Sequence, residues 1–371
     1  MIFGFDVHPD ACFAPDYITA RERFLAASRA AGGLLSAYDN PTPGPNGEAL
    51  STDVSWFGPP DAGRVLVLVS ATHGVEGFCG SGAQIDWIMV DGPGLLPPDT
   101  AVLIIHVLNP YGFAWLRRTT EEGVDLNRNG IAFDQPLPDN AGYDALADAY
   151  VPPNLEASTL ALADEVLARW RENHGARAFE QARSSGQYTR PEGIFYGGTG
   201  PTWSMRTLQR ICADFGLAGR RAVAVIDYHT GLGPHGHGEP ICGHRPGESG
   251  QARCRAWYGD SLGEPLLGTS FSLPIVGLTQ YAWARAVGAE KLTFVALEFG
   301  TYDAEVGARA LRDDHVLHRA SHVEWHDDTC RRVKSALRKF YHPDTHAWKE
   351  MVLFRSRQVI GQGLGGLVDT L

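Results

Sequence analysis

The chain has 371 residues, 44% of them hydrophobic and 20% charged, the balance of a soluble globular enzyme rather than a disordered chain. A formal net charge of −11 leaves no basic surplus to neutralise phosphates, which argues against nucleic-acid and anionic-membrane partners. No apolar run approaches the ~20 residues of a membrane span. Six scattered cysteines without CxxC spacing suit the reduced thiols of a cytoplasmic protein better than a disulfide frame or a cysteine zinc site. The N-terminal stretch "MIFGFDVHPDACFAPDYITARERF" carries acidic residues and prolines where a signal peptide has a basic start and an apolar stretch.

Taken in order, "RVLVLVSA" (64–71) is the first run with the length and branched residues of a buried strand. It leads into "THGVEGFCG", where His73 and Glu76 stand three positions apart among Gly74, Gly77, Gly80 and Gly82, and a helix over "SGAQIDWIMV" follows. The second strand, "AVLIIHVL" (101–108), runs into "NPYGFAWLRRTTEEGVDLNRNG". Pro/Gly-rich stretches at 40–47, 92–98 and 134–154 read as surface loops. A helix is expected over "EASTLALADEVLARWREN", with Leu160, Ala163, Val166, Leu167 and Trp170 on one face, and another over "TWSMRTLQRICADF". The third strand, "RAVAVIDYH" (221–229), ends on His229; the fourth, "LTFVALEF" (292–299), contains Glu298. A last helix covers "HVEWHDDTCRRVKSALRKFY", and the glycine-rich tail "GQGLGGLVDTL" reads as poorly ordered. Continuous apolar strands separated by helices indicate an α/β layer fold with a sheet covered on both faces. The chain reads as one catalytic domain over 1–371 with a divergent insertion at about 130–220.

Each strand ends in polar residues that are awkward inside a core, and in open α/β sheets ligands gather beyond the carboxyl ends of the strands. Two imidazoles and a carboxylate form a common ligand set for a catalytic zinc. A tight turn can direct His73 and Glu76 to one ion, with His229 as the third ligand. Glu298 is then left over as the base that such chemistry needs. Competing readings are a helix N-terminus complemented by Glu76 and, for "GFCGS", a nucleophile elbow carrying Cys79. A buried small thiol fits Cys79 better. His235, His237 and His244 read as incidental to a glycine-rich loop, and the stripe His315, His318, His322 and His326 as solvated.

HxxE after a strand, an Arg before "DLNRN", a later strand-borne His and a final strand-borne Glu together resemble the zinc carboxypeptidase family, whose clan includes aspartoacylase and succinylglutamate desuccinylase. "NPYGFAW", "VDLNRN" and "DYHTGLGPHGHGE" are most similar to its bacterial branch, and the resemblance runs from about 64 to 300. It implies a central mixed twisted sheet with helices on both faces and one zinc at its carboxyl edge. By motif, His73, Glu76 and His229 are the implied zinc ligands and Glu298 the general base. Asn127 and Arg128 are implied to hold the substrate carboxylate, Arg117 or Arg118 to stabilise the oxyanion, and Asp125 to orient the first histidine. Tyr281, in "GLTQYAWAR", is the best match for a substrate-covering tyrosine, with Trp283 or Arg285 near a side-chain pocket. The implied activity is zinc-dependent cleavage of an amide beside a free carboxylate, on a peptide or an N-acyl amino acid. A catalytically silent binding protein is the alternative that Glu298 argues against.

Overall fold

A computed structural model describes residues 9–320 and 323–369. The first eight residues of the N-terminal stretch, His322 and the last two residues lie outside the described residues. Among the described residues seven strands make one mixed sheet: β1 (Leu34–Asn40), β2 (Leu50–Phe57), β3 (Arg64–Val69), β4 (Thr100–His106), β5 (Ala222–His235), β6 (Gly238–Ile241) and β7 (Leu292–Gly300), in the order β1-β2-β4-β3-β5-β7-β6. The four expected strands are the central parallel ones, with β4, β3, β5 and β7 side by side. The antiparallel β2 and β1 extend one edge, and β6 closes the other.

The central strands are apolar throughout because both faces are covered. Leu66, Leu68, Ile104, Ile226, Val295 and Leu297 point to one side. There they meet the helices Gly77–Met89 and His346–Asp369. Val65, Val67, Ile105, Val223, Val225 and Phe294 point to the other side, against the helices Trp203–Asp214 and Thr279–Val287. This period-two split runs unbroken to the carboxyl ends of β5 and β7, where it decides which polar residues face the second side.

Three local expectations change. The glycine-rich tail is the end of the helix His346–Asp369, with Leu364 and Leu367 buried. Gly366 is required there because any side chain would strike the ring of Trp257. On the helix Ala157–His174 only Ala163 is buried, and Val166 is exposed; Leu167 and Trp170 pack, partly buried, on an outer cluster rather than on the sheet. His315 and His318 are not solvated either. They belong to a buried charged cluster in which Asp314 accepts hydrogen bonds from Arg117 Nε (3.1 Å) and Lys334 Nζ (2.6 Å), while Lys334 Nζ donates to His318 Nε2 at 2.8 Å. His326 is exposed.

That cluster supports the site directly. The carbonyl of Arg117 accepts from the amide of Val75 at 2.8 Å, so the turn carrying His73 and Glu76 hangs from a residue that Asp314 pins in place. Removing one member of a buried charge network leaves the others uncompensated, so Asp314→Ala should destabilise the protein by ~3–5 kcal/mol. Urea unfolding of wild type and variant measures this. Burial alone would push the Asp314 carboxyl up, but Lys334 and Arg117 hold it well below the usual carboxylate range. With the folded pKa depressed, this stabilisation is present above the unfolded value near ~4 and is lost as pH falls towards the folded one.

Candidate active site

The turn after β3 begins with strain. Ala71 takes a left-handed φ of 55°, and Val107, at the equivalent point after β4, takes 61°. The β-branched Val107 makes this costly, and it is held by paired loops: Leu108 N donates to Ser70 O (2.9 Å) and Asn109 N to Ala71 O (3.0 Å). The turn Gly74–Glu76 then brings His73 and Glu76 to the same side. Gly74 lies against the backbone of Gly112 and Phe113, where no Cβ fits. Gly74 and Gly77 therefore serve close packing of "THGVEG" on "NPYGFAW".

His229 sits on β5 directly opposite Glu298 on β7, so both side chains leave the same face. His73, Glu76 and His229 are all buried, and one ligand atom from each lies within 4.8 Å of the others. His73 Nδ1 is 3.0 Å from Glu76 Oε1, His229 Nδ1 is 3.2 Å from Glu76 Oε2, and the two Nδ1 atoms are 3.2 Å apart. The outer nitrogens face carboxylates: His73 Nε2 is 3.1 Å from Asp125 Oδ1, and His229 Nε2 is 3.2 Å from Asp227 Oδ2. Such partners place the proton on Nε2 and leave the Nδ1 lone pairs pointing inward. The 2.9 Å approach of Arg118 Nη2 to His73 Nε2 is then a contact and not a hydrogen bond. Two lone pairs and a carboxylate that converge this closely repel one another unless a cation lies among them, so the donor set fits a divalent metal.

Asp227 went unread in the sequence. It lies two residues before His229 on the same face of β5, and Thr72 Oγ1 donates to it at 2.8 Å. The "DYH" spacing was its only signal.

Of the two neighbouring arginines, Arg118 alone lines the cavity. It donates to Glu76 Oε1 (2.7 Å) and Asp125 Oδ2 (2.9 Å), whereas Arg117 turns away to Asp314. Burial would raise the Glu76 carboxyl, but His73, His229 and Arg118 together hold it well below the usual range. Glu298 has the opposite balance: burial first, then the Glu76 charge, push its pKa up to about 8. Among the described residues its carboxylate has one hydrogen bond, from Leu232 N at 3.0 Å, and no ion pair, against a structural salt-bridge role.

Arg128 is buried and also lacks an ion-pair partner among the described residues. Nη1 donates to Asn127 O (2.9 Å) and Nη2 to Ser184 O (2.6 Å), Nε is unpartnered, and the guanidinium lies 4.9 Å from the Phe195 ring centroid. Burial lowers its pKa from the ordinary value. Asn127 Oδ1 accepts from Thr279 N (3.0 Å), and its Nδ2 lies 3.5 Å from His229 Nε2. His73, Glu76, Arg118, Asn127, Arg128, His229 and Glu298 line one cavity of about 380 Å³, which Tyr281 and Tyr341 also line. Trp283 is instead fully buried in the core, and Arg285 donates to the carbonyls of Gly130 and Ile131; neither reaches the cavity. Cys79 is fully buried, with its thiol pushed well above its usual pKa by burial and the Glu76 charge, which removes the nucleophile reading. His244 accepts from Phe294 N at 3.1 Å, a structural role.

The sheet order and flanking helices define the fold of the zinc metallocarboxypeptidase clan. Carboxypeptidase A from Helicoverpa armigera superposes with a TM-score of 0.51 at 13% identity, over 96% of this chain and 74% of that one. The succinylglutamate desuccinylase of Chromobacterium violaceum is also similar, at 14% identity over 87% of this chain and 74% of that one, with a TM-score of 0.36. So is the murein-tripeptide amidase MpaA of Escherichia coli O157, at 15% over 78% and 93%, with a TM-score of 0.31. No curated protein matches the sequence. The chain belongs to the family described as protein of unknown function (DUF2817), which matches residues 13–355.

Proposed function

We propose that the protein is a metal-dependent hydrolase that cleaves an amide bond beside a free carboxylate, most closely a carboxypeptidase. The observation that carries this is a buried guanidinium, Arg128, in the same cavity as a metal-capable His73–Glu76–His229 set and the carboxylate of Glu298, neither Arg128 nor Glu298 having an ion-pair partner among the described residues. A buried cation left uncompensated is costly, and a substrate carboxylate supplies its partner. A divalent ion held by the three ligands, zinc by the chemistry of the donor set, supplies Lewis acidity towards water and the scissile carbonyl.

This chain's own residues do the rest. Arg128 fixes the substrate carboxylate with its planar fork, and the Asn127 carboxamide lies beside it. Glu298 accepts a proton from the attacking water as its oxygen bonds to the carbonyl carbon. Arg118 meets the charge that develops on the carbonyl oxygen. As the carbon–nitrogen bond breaks, Glu298 returns the proton to the departing amine. Tyr281 borders the bound substrate. An N-acyl amino acid presents the same amide beside the same carboxylate, so deacylation is the second reading of this site.

A charge-assisted contact is worth ~1.5–3 kcal/mol, roughly a ten- to hundredfold effect on kcat/KM. Wild type should therefore discriminate strongly against the C-terminal amide of any active substrate, and Arg128→Ala should lose most of that discrimination. Equal cleavage of acid and amide by wild type would replace this reading with an endopeptidase or a simple amidase.

A further inference from the structure

Beyond the catalytic groups, the cavity continues between Arg128 and Glu298 into a wall without charge. On β7, Phe294 and Ala296 share the face of Glu298, and β6 sets Ile241 beside Ala296. From the other direction, the amide of Gly130 donates to Gly277 O (2.9 Å), and Thr279 N is bound to Asn127. These bonds fix Leu278 and Gln280 next to the carboxylate anchor. Gly243 completes the contact, since a side chain there would collide with Gln280 Oε1 and Leu278. Ile241, Gly243, Leu278, Gln280, Phe294 and Ala296 all line the cavity.

Gln280 is the anomaly among them. It is 3% exposed, its Oε1 is buried without a hydrogen-bond partner, and no group among the described residues bonds its carboxamide nitrogen. Leaving a buried amide unpaired costs free energy, and this one borders an apolar stretch of the cavity, where a ligand group can supply the missing partner. Because it offers both a donor and an acceptor, the matching tip is neutral, and a hydroxyl that can do either satisfies both amide orientations. A charged tip would meet no free counter-ion among the described residues, since Glu76, Arg118 and Glu298 face the metal site, Arg128 faces the substrate carboxylate and Arg183 is paired with Glu180.

We propose that Gln280 is the specificity-determining residue of a neutral subsite, which receives an apolar side chain with a hydrogen-bonding tip, tyrosine ahead of phenylalanine, on the carboxylate-bearing residue of the substrate. This rests on the functional reading above and separates the protein from enzymes whose substrates carry an acidic residue at that place.

The experiment measures kcat/KM for one acyl group joined to Tyr, Phe, Asp or Lys, alongside ligand-observed NMR binding of the free amino acids. Wild type should favour Tyr over Phe by about tenfold or more, because Phe leaves the amide unpaired. Asp and Lys should rank below both. Gln280→Leu should bring the Tyr/Phe ratio to about one, and Gln280→Glu should shift preference towards Lys. Equal use of Tyr and Phe by wild type, a preference for Asp, or an unchanged ratio in Gln280→Leu overturns the proposal. If no conjugate is cleaved, the hydrolase reading fails, and binding alone then decides this one: tighter binding of Tyr than of Phe, lost in Gln280→Leu, upholds it, and equal binding overturns it.

Discussion

Glu298→Gln should leave the fold intact and lower kcat by about 10²–10⁴-fold. Glutamine is nearly isosteric and its carbonyl oxygen can still accept from Leu232 N, so the local backbone is preserved. What disappears is the ability to take a proton from water and hand it to the amine. Its buried place opposite His229, with one hydrogen bond from Leu232 N and no ion pair among the described residues, fits a carboxylate placed for proton transfer. Circular dichroism and elemental analysis of the variant control for fold and metal content. Near-normal kcat in a folded, metal-replete Glu298→Gln protein would remove the residue from the mechanism.

The second large effect concerns the metal. Purified protein should hold about one divalent ion per chain, and the double variant His73→Ala, His229→Ala should hold none and show no turnover. One carboxylate, Glu76, cannot retain the ion alone. The outer carboxylates give the prediction a graded form. Asp125 and Asp227 each hold one histidine by Nε2, so Asp125→Asn and Asp227→Asn should each weaken metal affinity by about 10–100-fold. Competition with a chelator measures these steps. Full metal retention in the double variant would place the ion elsewhere or make it adventitious. Unchanged affinity in Asp227→Asn would reduce that residue to a structural partner of Thr72.

The difference between Arg117 and Arg118 shows where sequence stops. Adjacent side chains on an irregular loop point apart, and only tertiary packing decides which direction holds the site. Arg118 meets Glu76 and Asp125 across the cavity, while Arg117 meets Asp314 almost two hundred positions later. The same limit hid Gln280, because a glutamine two residues into the helix Thr279–Val287 is unremarkable until β6, β7 and Arg128 enclose it.

What the sequence determined by itself was everything that burial on both sides writes into a chain. β3, β4, β5 and β7 were legible because a central parallel strand must be apolar at every position, so a polar residue at its carboxyl end stands out as a site residue. His73, Glu76, His229 and Glu298 were singled out on that ground, and the fold brings all four to one cavity. Tertiary structure decided what lacks such a signature. β1 was missed because "LLSAYDN" is a largely exposed edge strand without an apolar pattern, and β2 because "LSTDVSWF" carries polar residues whose burial is made tolerable by distant partners, such as Asp53 accepting from Arg21 Nε at 2.6 Å. β6, "GEPI", is short and carries a glycine and a proline, and only its pairing with β7 makes it a strand. The tail "GQGLGGLVDTL" has poor helix propensity and is helical because Leu364 and Leu367 are buried against the sheet. Local pattern records a residue's average surroundings; which particular groups meet, and at what distance, is set by the register of strands and helices that only the folded chain brings together.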